Sequence, residues 1–247
     1  MQRYCSLEMI HMGGSSVGAA ATQVQQVLAG VSLFAGLDAS AHRRLVDGAE
    51  LREFSGGDVI CREGDPGTGL HLVTRGQVKL LLQAGNGHEK VFDLISTGAC
   101  FGEPSLYTEQ PHLVTAQAIT DTQLLHIYRA EMLKVLRETP ELAMRVIKGL
   151  ASRIYRRTHD LKSYMLMSGT QRVICYLLHE VPFEAEGAAA VAVTLPVRKG
   201  LIASRLNLTQ EHFSRILHEL AASTLIRVEG QRVHIRDVGQ LRLMAAG

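Results

Sequence analysis

The residues best equipped for chemistry lie in the stretch Asn207–Leu220, "NLTQEHFSRILHEL". At about 100° per residue, Phe213, Ile216, Leu217 and Leu220 gather on one side of a helix. Glu211, Ser214, Arg215 and His218 gather on the other, with Gln210 at the margin. The apolar side can be buried against a domain. The polar side carries a forked donor, a carboxylate acceptor and a hydroxyl, a set that can read base edges. Arg215 can donate two hydrogen bonds to guanine O6 and N7, Glu211 can accept from cytosine N4, and Ser214 can reach a base or a phosphate. Thr209 is placed to cap the helix, its hydroxyl accepting from first-turn amides.

The surroundings must hold that helix out. "VTLPVRKGLIASRLNLTQEHFSRILHELAASTLIRVEGQRVHIRD" reads helix, turn, helix, strand, turn, strand. "IRV" and "VHI" flank "EGQR", a glycine-containing hairpin signal. Two helices on a tight turn followed by a hairpin describe a winged helix-turn-helix, whose second helix enters the major groove. Polar spacing alone would suit any surface helix. Charge adds the missing weight: from Leu195 onward eight Lys or Arg face four acids, an excess of +4 in a chain of net charge +2. The hairpin and that excess decide for double-stranded DNA. Arg198, Lys199 and the wing residue Arg232 are the candidates for backbone contacts, which give affinity without sequence preference.

Upstream the pattern changes twice. Residues 24–53 read as short helices, with Leu33, Phe34, Leu37, Leu45 and Val46 as core candidates. From Phe54 to Tyr128, "LHLVTRGQVKLLLQ", a turn at "AGNG" and "EKVFDLI" read as short glycine-punctuated strands, hence a barrel or double-sheet roll. From Arg129 helical periodicity returns, with Pro140 near the start of a long second helix. Along it Ile147, Leu150, Ile154, Leu161 and Tyr164 fall near a and d positions of a heptad, interrupted by Arg157. A helix of roughly 25 residues outreaches one small roll, so a second copy of the same helix is expected to cover the stripe, making a homodimer. "GTQRVICYLLHEV" reads as an amphipathic helix and "EAEGAAA" as a loop, with a hinge expected near Met167–Gly169. The fold class is α+β: a disordered leader over 1–22, a sensor β-roll with flanking helices over 23–129, a dimerisation helix region over 130–167, and the winged helix-turn-helix over 168–247.

Composition removes other classes. The chain of 247 residues is 46% hydrophobic and 20% charged, enough for real cores with an ordinary surface. No apolar run approaches the roughly 18 residues a membrane span needs, and the N-terminus lacks the apolar core of a signal peptide, so the expected location is cytoplasmic, with no membrane partner. Cys5, Cys61, Cys100 and Cys175 form no C-x-x-C pair, which argues against a zinc site or disulfide framework and for single thiols. No H-x-H, H-E-x-x-H, clustered carboxylate set or phosphate loop appears. The chain is therefore not expected to be an enzyme, a metal-dependent β-barrel enzyme being the distant rival, and no catalytic or metal-ligating residue is assigned.

From about Gln23 onward the chain resembles the Crp/Fnr family of bacterial transcription regulators. "GGDVICREGDPGTGLHLVTRGQVKL" is similar to the cyclic-nucleotide-binding-domain signature, with Gly57, Gly64, Gly76, Asp58, Ile60 and Val78 in step. "FGEPSL" (Phe101–Leu106) resembles the cassette that holds effector phosphate and ribose. Glu211, Ser214 and Arg215 match the E-x-x-S-R pattern of the Fnr branch, whereas the cAMP-receptor branch has other residues where this chain has Gln210 and Ser214. The resemblance implies a double-stranded β-helix roll, a dimer acting as an activator with RNA polymerase as partner, and a palindrome with TTGA-type half-sites. It implies an effector pocket at Gly102, Glu103, Leu106, Val114, Thr115, Arg157 and Thr158.

That pocket departs from the cyclic-nucleotide pattern. The family places an arginine, then Ser or Thr and Ala, after the cassette; here Leu113–Val114 precede Thr115–Ala116, and no arginine lies between Arg75 and Arg129. A buried phosphate charge needs a partner, so cAMP is not the expected effector. Arg157–Thr158 stands where cAMP-binding members present a Thr-Ser pair to the base. A lone Cys5 cannot supply the N-terminal cysteine cluster of the oxygen-sensing iron–sulfur members. "FSRILHEL" and "PHLVTAQA" look most like the Dnr subgroup, which answers to nitric oxide. That resemblance implies haem or another redox cofactor, with His11, His42, His71, His88, His112 and His126 as the histidines available to ligate it.

Overall fold

The computed structural model describes residues 14–83, 87–181 and 190–246. Residues 1–13, the "AGNG" turn apart from Gly87, and the "EAEGAAA" loop apart from Ala190 lie outside the described residues. The chain forms two compact units: residues 1–80 with 94–148, and residues 81–93 with 149–247.

The first unit opens with helices α1 (Gly14–Ala29) and α2 (Ala39–Asp47), the latter capped by Asp38, whose carboxylate accepts from the amides of Ser40 and Ala41. Strands β1 (Ala49–Phe54), β2 (Val59–Cys61), β3 (Gly69–Arg75), β4 (Gln77–Gln83), β5 (Glu89–Ser96), β6 (Cys100–Phe101), β7 (Thr115–Ala118) and β8 (Thr122–Tyr128) follow, with helix α3 (Glu103–Thr108) between β6 and β7. They form two four-stranded sheets, β1-β8-β3-β6 and β2-β7-β4-β5, the double-sheet roll expected from the short-strand pattern. Strand alternation explains how β3 and β8 are buried on both faces. Leu70, Leu72, Leu125 and Ile127 join a helical core with Leu28, Leu45, Met132 of α4 (Arg129–Glu138) and Leu142 of α5 (Pro140–Leu166). Val73 and Leu124 turn the other way, into the roll interior with Val78, Phe101 and Ala116.

The second unit carries α6 (Gly169–His179), β9 (Val191–Thr194), α7 (Lys199–Arg205), α8 (Gln210–Ala222), β10 (Ile226–Glu229), β11 (Arg232–Ile235) and α9 (Val238–Ala246). A capping box between Ser168 and Gln171 starts α6, directly after the break that ends α5. The sheet order is β10-β11-β9.

Four local readings are corrected. Residues 14–22 of the supposed disordered leader are helical, because the second half of α1 buries Val24 and Leu28. Residues 49–53, read with the short helices, join Phe54 in β1 through pairing with β8 (Ala49 opposite Ile127). Helix α3 and strand β9 were not anticipated. The latter pairs with β11, placing Val193 opposite Val233.

Candidate nucleic-acid interface and roll site

In the winged region Phe213, Ile216, Leu217 and Leu220 are buried, while Gln210, Glu211, Ser214, Arg215 and His218 are exposed. Sequence periodicity and structure therefore agree on which side of α8 is free. Thr209 caps the helix, its hydroxyl accepting from the His212 amide at 3.1 Å. Leu206–Leu208 form the turn from α7, with Asn207 in the left-handed region at φ 57°. An asparagine tolerates that conformation better than most residues. Arg215 lies 4.0 Å from Glu219, a solvent-exposed contact one turn along. Such a pair contributes little and leaves the guanidinium able to turn toward a partner.

The flanking cations are arranged around this face. Arg198 and Arg232 are exposed and Lys199 is half-buried. A groove between α8 and the β10–β11 hairpin is lined by Lys199, Ser214, His218, Arg227 and Arg236. Sequence reading missed Arg227 and Arg236; their only early signal was membership in the C-terminal basic excess. Arg227 is held by Glu229 at 2.7 Å.

In the first unit Gly102 adopts φ 95° at the start of α3, a conformation L side chains rarely adopt. Glu103, Leu106 and Thr115 are buried and Val114 is partly buried. The segment before β7 folds back onto α3: His112 Nδ1 lies 3.2 Å from Ser105 Oγ, and the Thr115 hydroxyl accepts from the Glu63 amide at 3.1 Å. Gly102, Glu103, Leu106, Val114 and Thr115 thus share the first unit. Arg157 and Thr158 belong to the second. Arg157 is already paired, with Asp93 and Asp160, and the Thr158 hydroxyl bonds back to Ile154 O at 3.1 Å.

The strand registers also bring together histidines that sequence spacing left unconnected. His71 on β3 stands opposite His126 on β8, and both turn into the roll interior. Their Nδ1 atoms are 3.4 Å apart, so one ring donates and the other accepts. His71 stacks on Phe101 at 4.8 Å, and His126 meets Tyr128 edge-on at 4.9 Å. Burial pushes His71 down to about 3, aided by the positive field of His126, Arg52 and His112. Burial pushes His126 down to about 4, with Arg52 lowering it further and Glu50 opposing. His112 is also lowered by burial, against the pull of Asp65.

His71 and His126 do not fit a haem. An axial ligand must present a ring nitrogen to iron with space for a macrocycle beyond it. His126 Nε2 has no hydrogen-bond partner among the described residues. However, even a Cβ built on Gly69 would stand only 3.0 Å from that atom. His71 and His126 are 2% and 0% exposed. His42 is half-buried on α2, His88 is exposed beside the β4–β5 turn, and His11 lies outside the described residues. Cys61 and Cys175 are poor redox groups: burial pushes Cys61 up to about 11 and raises Cys175 as well, so their thiolates are disfavoured. Among the described residues, no helix is long and apolar enough to cross a membrane.

Comparison with known proteins matches these parts in order. The cyclic nucleotide-binding domain matches residues 51–139, and the Crp-like helix-turn-helix domain matches residues 171–244. The chain is 26% identical over 219 residues to a CRP-like cAMP-activated global transcriptional regulator of Mycobacterium tuberculosis, covering 88% of this chain and 98% of the relative. It is 28% identical over 198 residues to the cyclic AMP receptor protein of Thermus thermophilus, covering 80% and 89%. The structure of FixK2 from Bradyrhizobium japonicum shares the fold with a TM-score of 0.68 at 21% identity, covering 79% of this chain and 96% of that one. A nucleotide-binding-type domain followed by a helix-turn-helix is thus shared with regulators along nearly their whole length, and the chain belongs to the Crp/Fnr family of transcription regulators, not to an enzyme family.

Proposed function

We propose that the chain acts as a homodimer that reads an Fnr-like palindrome with TTGA-type half-sites and alters transcription through RNA polymerase, with the roll as its control unit. One observation carries this reading: Glu211, Ser214 and Arg215 face solvent from a helix whose other side is locked into the winged core. The E-x-x-S-R spacing matches the Fnr branch at the positions that face outward. A two-fold site needs two such helices about 34 Å apart, and the long helix supplies a means of pairing. Ile147, Ile154 and Leu161 are 55%, 67% and 58% exposed on a single chain, with Leu150 partly covered and Tyr164 at the seam's end. Ile154→Glu is expected to leave the protein monomeric in sedimentation velocity, since two carboxylates would face each other in the seam. A dimer unaffected by Ile154→Glu would count against pairing through α5.

The reading as a whole is tested by mobility shift at fixed salt on a duplex with two facing TTGA half-sites and on a scrambled duplex. Equal affinity for both would overturn it. A second reading, control by cyclic nucleotide, is favoured by the cAMP-activated relatives. Val114 opposes it, because the ligand's buried phosphate would lack the arginine that neutralises it. Added cAMP is therefore expected to leave the shift unchanged.

A further inference from the structure

Strand β5 is the edge of its sheet, and an edge strand presents unpaired amides. Here that edge is occupied. The Val91 amide donates to Ser204 Oγ of α7 at 2.9 Å, and Lys90 bonds the side chain of Asn207 in the α7–α8 turn. Beside them the Asp93 carboxylate, only 15% exposed, faces two guanidinium groups. One oxygen pairs with Arg157 of α5, and the other lies 3.8 Å from Arg205 at the end of α7. Arg157 also stacks over the Phe92 ring at 4.5 Å. The Tyr164 hydroxyl of α5 donates to the Arg205 carbonyl at 2.5 Å. One carboxylate thus neutralises a cation from the long helix and a cation from the first helix of the helix-turn-helix. All of these groups belong to the second compact unit.

We propose that Asp93 is a positioning residue for DNA binding: it fixes the orientation of α7, and through the Leu206–Leu208 turn that of the reading helix α8, relative to the long helix α5. None of the contacts covers Gln210, Glu211, Ser214, Arg215 or His218, which stay exposed. The cluster therefore sets direction without blocking the reading face. Without Asp93, Arg205 loses this carboxylate and Arg157 keeps Asp160 alone, so the carboxylate that ties α7 to α5 is gone and uncompensated positive charge is left between the two helices. A reading head that is correctly oriented for only a fraction of the time binds more weakly by that fraction. The loss applies where two heads must be held in register and not where one head binds alone. The proposal rests on the dimer reading given above.

The experiment compares full-length wild type, Asp93→Asn and Asp93→Glu on a duplex with two facing TTGA half-sites and on one with a single half-site. Wild type must prefer the double site; failure there would overturn the dimer reading itself. Asp93→Asn is expected to bind the double site about tenfold more weakly while single-site affinity holds, as if about a tenth of the dimers had both heads in register. Asp93→Glu, which keeps the charge, is expected to recover most of the loss. Arg205→Gln breaks the contact from the helix side and is expected to reproduce the split. Unchanged or stronger double-site binding by Asp93→Asn would overturn the proposal. An equal loss on both duplexes would do the same, because it would mean that Asp93 only holds the winged region folded.

Discussion

Replacing Arg215 by alanine is expected to abolish most sequence preference while leaving the protein folded. The side chain is 67% exposed and its ion pair with Glu219 is long, so the fold loses little, as is usual for surface changes. On DNA the arginine is the forked donor suited to guanine O6 and N7. A dimer places two of them on a palindrome, so the complex is expected to lose about 2–6 kcal/mol, or about 1–3 kcal/mol for each bidentate contact. Binding to a scrambled duplex should change much less, because that affinity comes from phosphate neutralisation. Arg198→Ala and Arg232→Ala should show the opposite signature: a uniform loss on both duplexes and a shallower salt dependence. Competition mobility shifts at two salt concentrations separate the two behaviours. If Arg215→Ala kept the wild-type preference for TTGA half-sites, the base-reading assignment of α8 would fall.

Helix α8 was legible in the sequence because everything that defines it is local. Its cap at Thr209, its apolar period and its polar side all lie within a dozen residues, and the domain only had to accept the apolar side. Strand β1 shows the converse. "AELREF" is rich in good helix formers, and only pairing with β8, about seventy residues away, makes it a strand. Strand β9 has four residues and gains its identity from β11. Helix α3 is six residues long, too short for a period to register.

The candidate site divides along the same line. Spacing alone placed Glu211, Ser214 and Arg215 on one exposed helix face, whereas the contacts of Asp93 could not be read that way, since its partners come from α5 and α7. The roll histidines were each visible but had no reason to be grouped, since His71 and His126 are fifty-five residues apart in the chain. Their pairing is a product of sheet register. The resemblance to nitric-oxide-responsive regulators suggested a haem ligand among them, and the same register encloses the rings too tightly for that role.

Enclosure gives those histidines a different consequence, a steep loss of stability in mild acid. In the unfolded chain each titrates near 6.5; in the folded roll burial holds His71 at about 3 and His126 at about 4. Above pH 6.5 both states carry neutral rings and the shift contributes nothing. As pH falls below 6.5 the unfolded chain takes up protons that the folded roll refuses, so stability drops with pH. The drop continues until the folded values are reached. At pH 5 the unfolded rings are almost fully charged and the folded ones almost fully neutral, so the exact folded values matter little there. The expected loss is about 2 kcal/mol for each ring, from about 1.4 kcal/mol per unit between pH 6.5 and pH 5. His112, lowered in the same direction, adds to it. Denaturant unfolding at pH 7.5 and pH 5 measures the effect. In a variant carrying His71→Phe and His126→Leu the protonatable rings are gone, and most of the difference between the two pH values should vanish even if the variant is less stable at both. An unchanged difference in that variant would mean that the acid sensitivity arises elsewhere, and that the paired imidazoles already carry their protons in the folded roll.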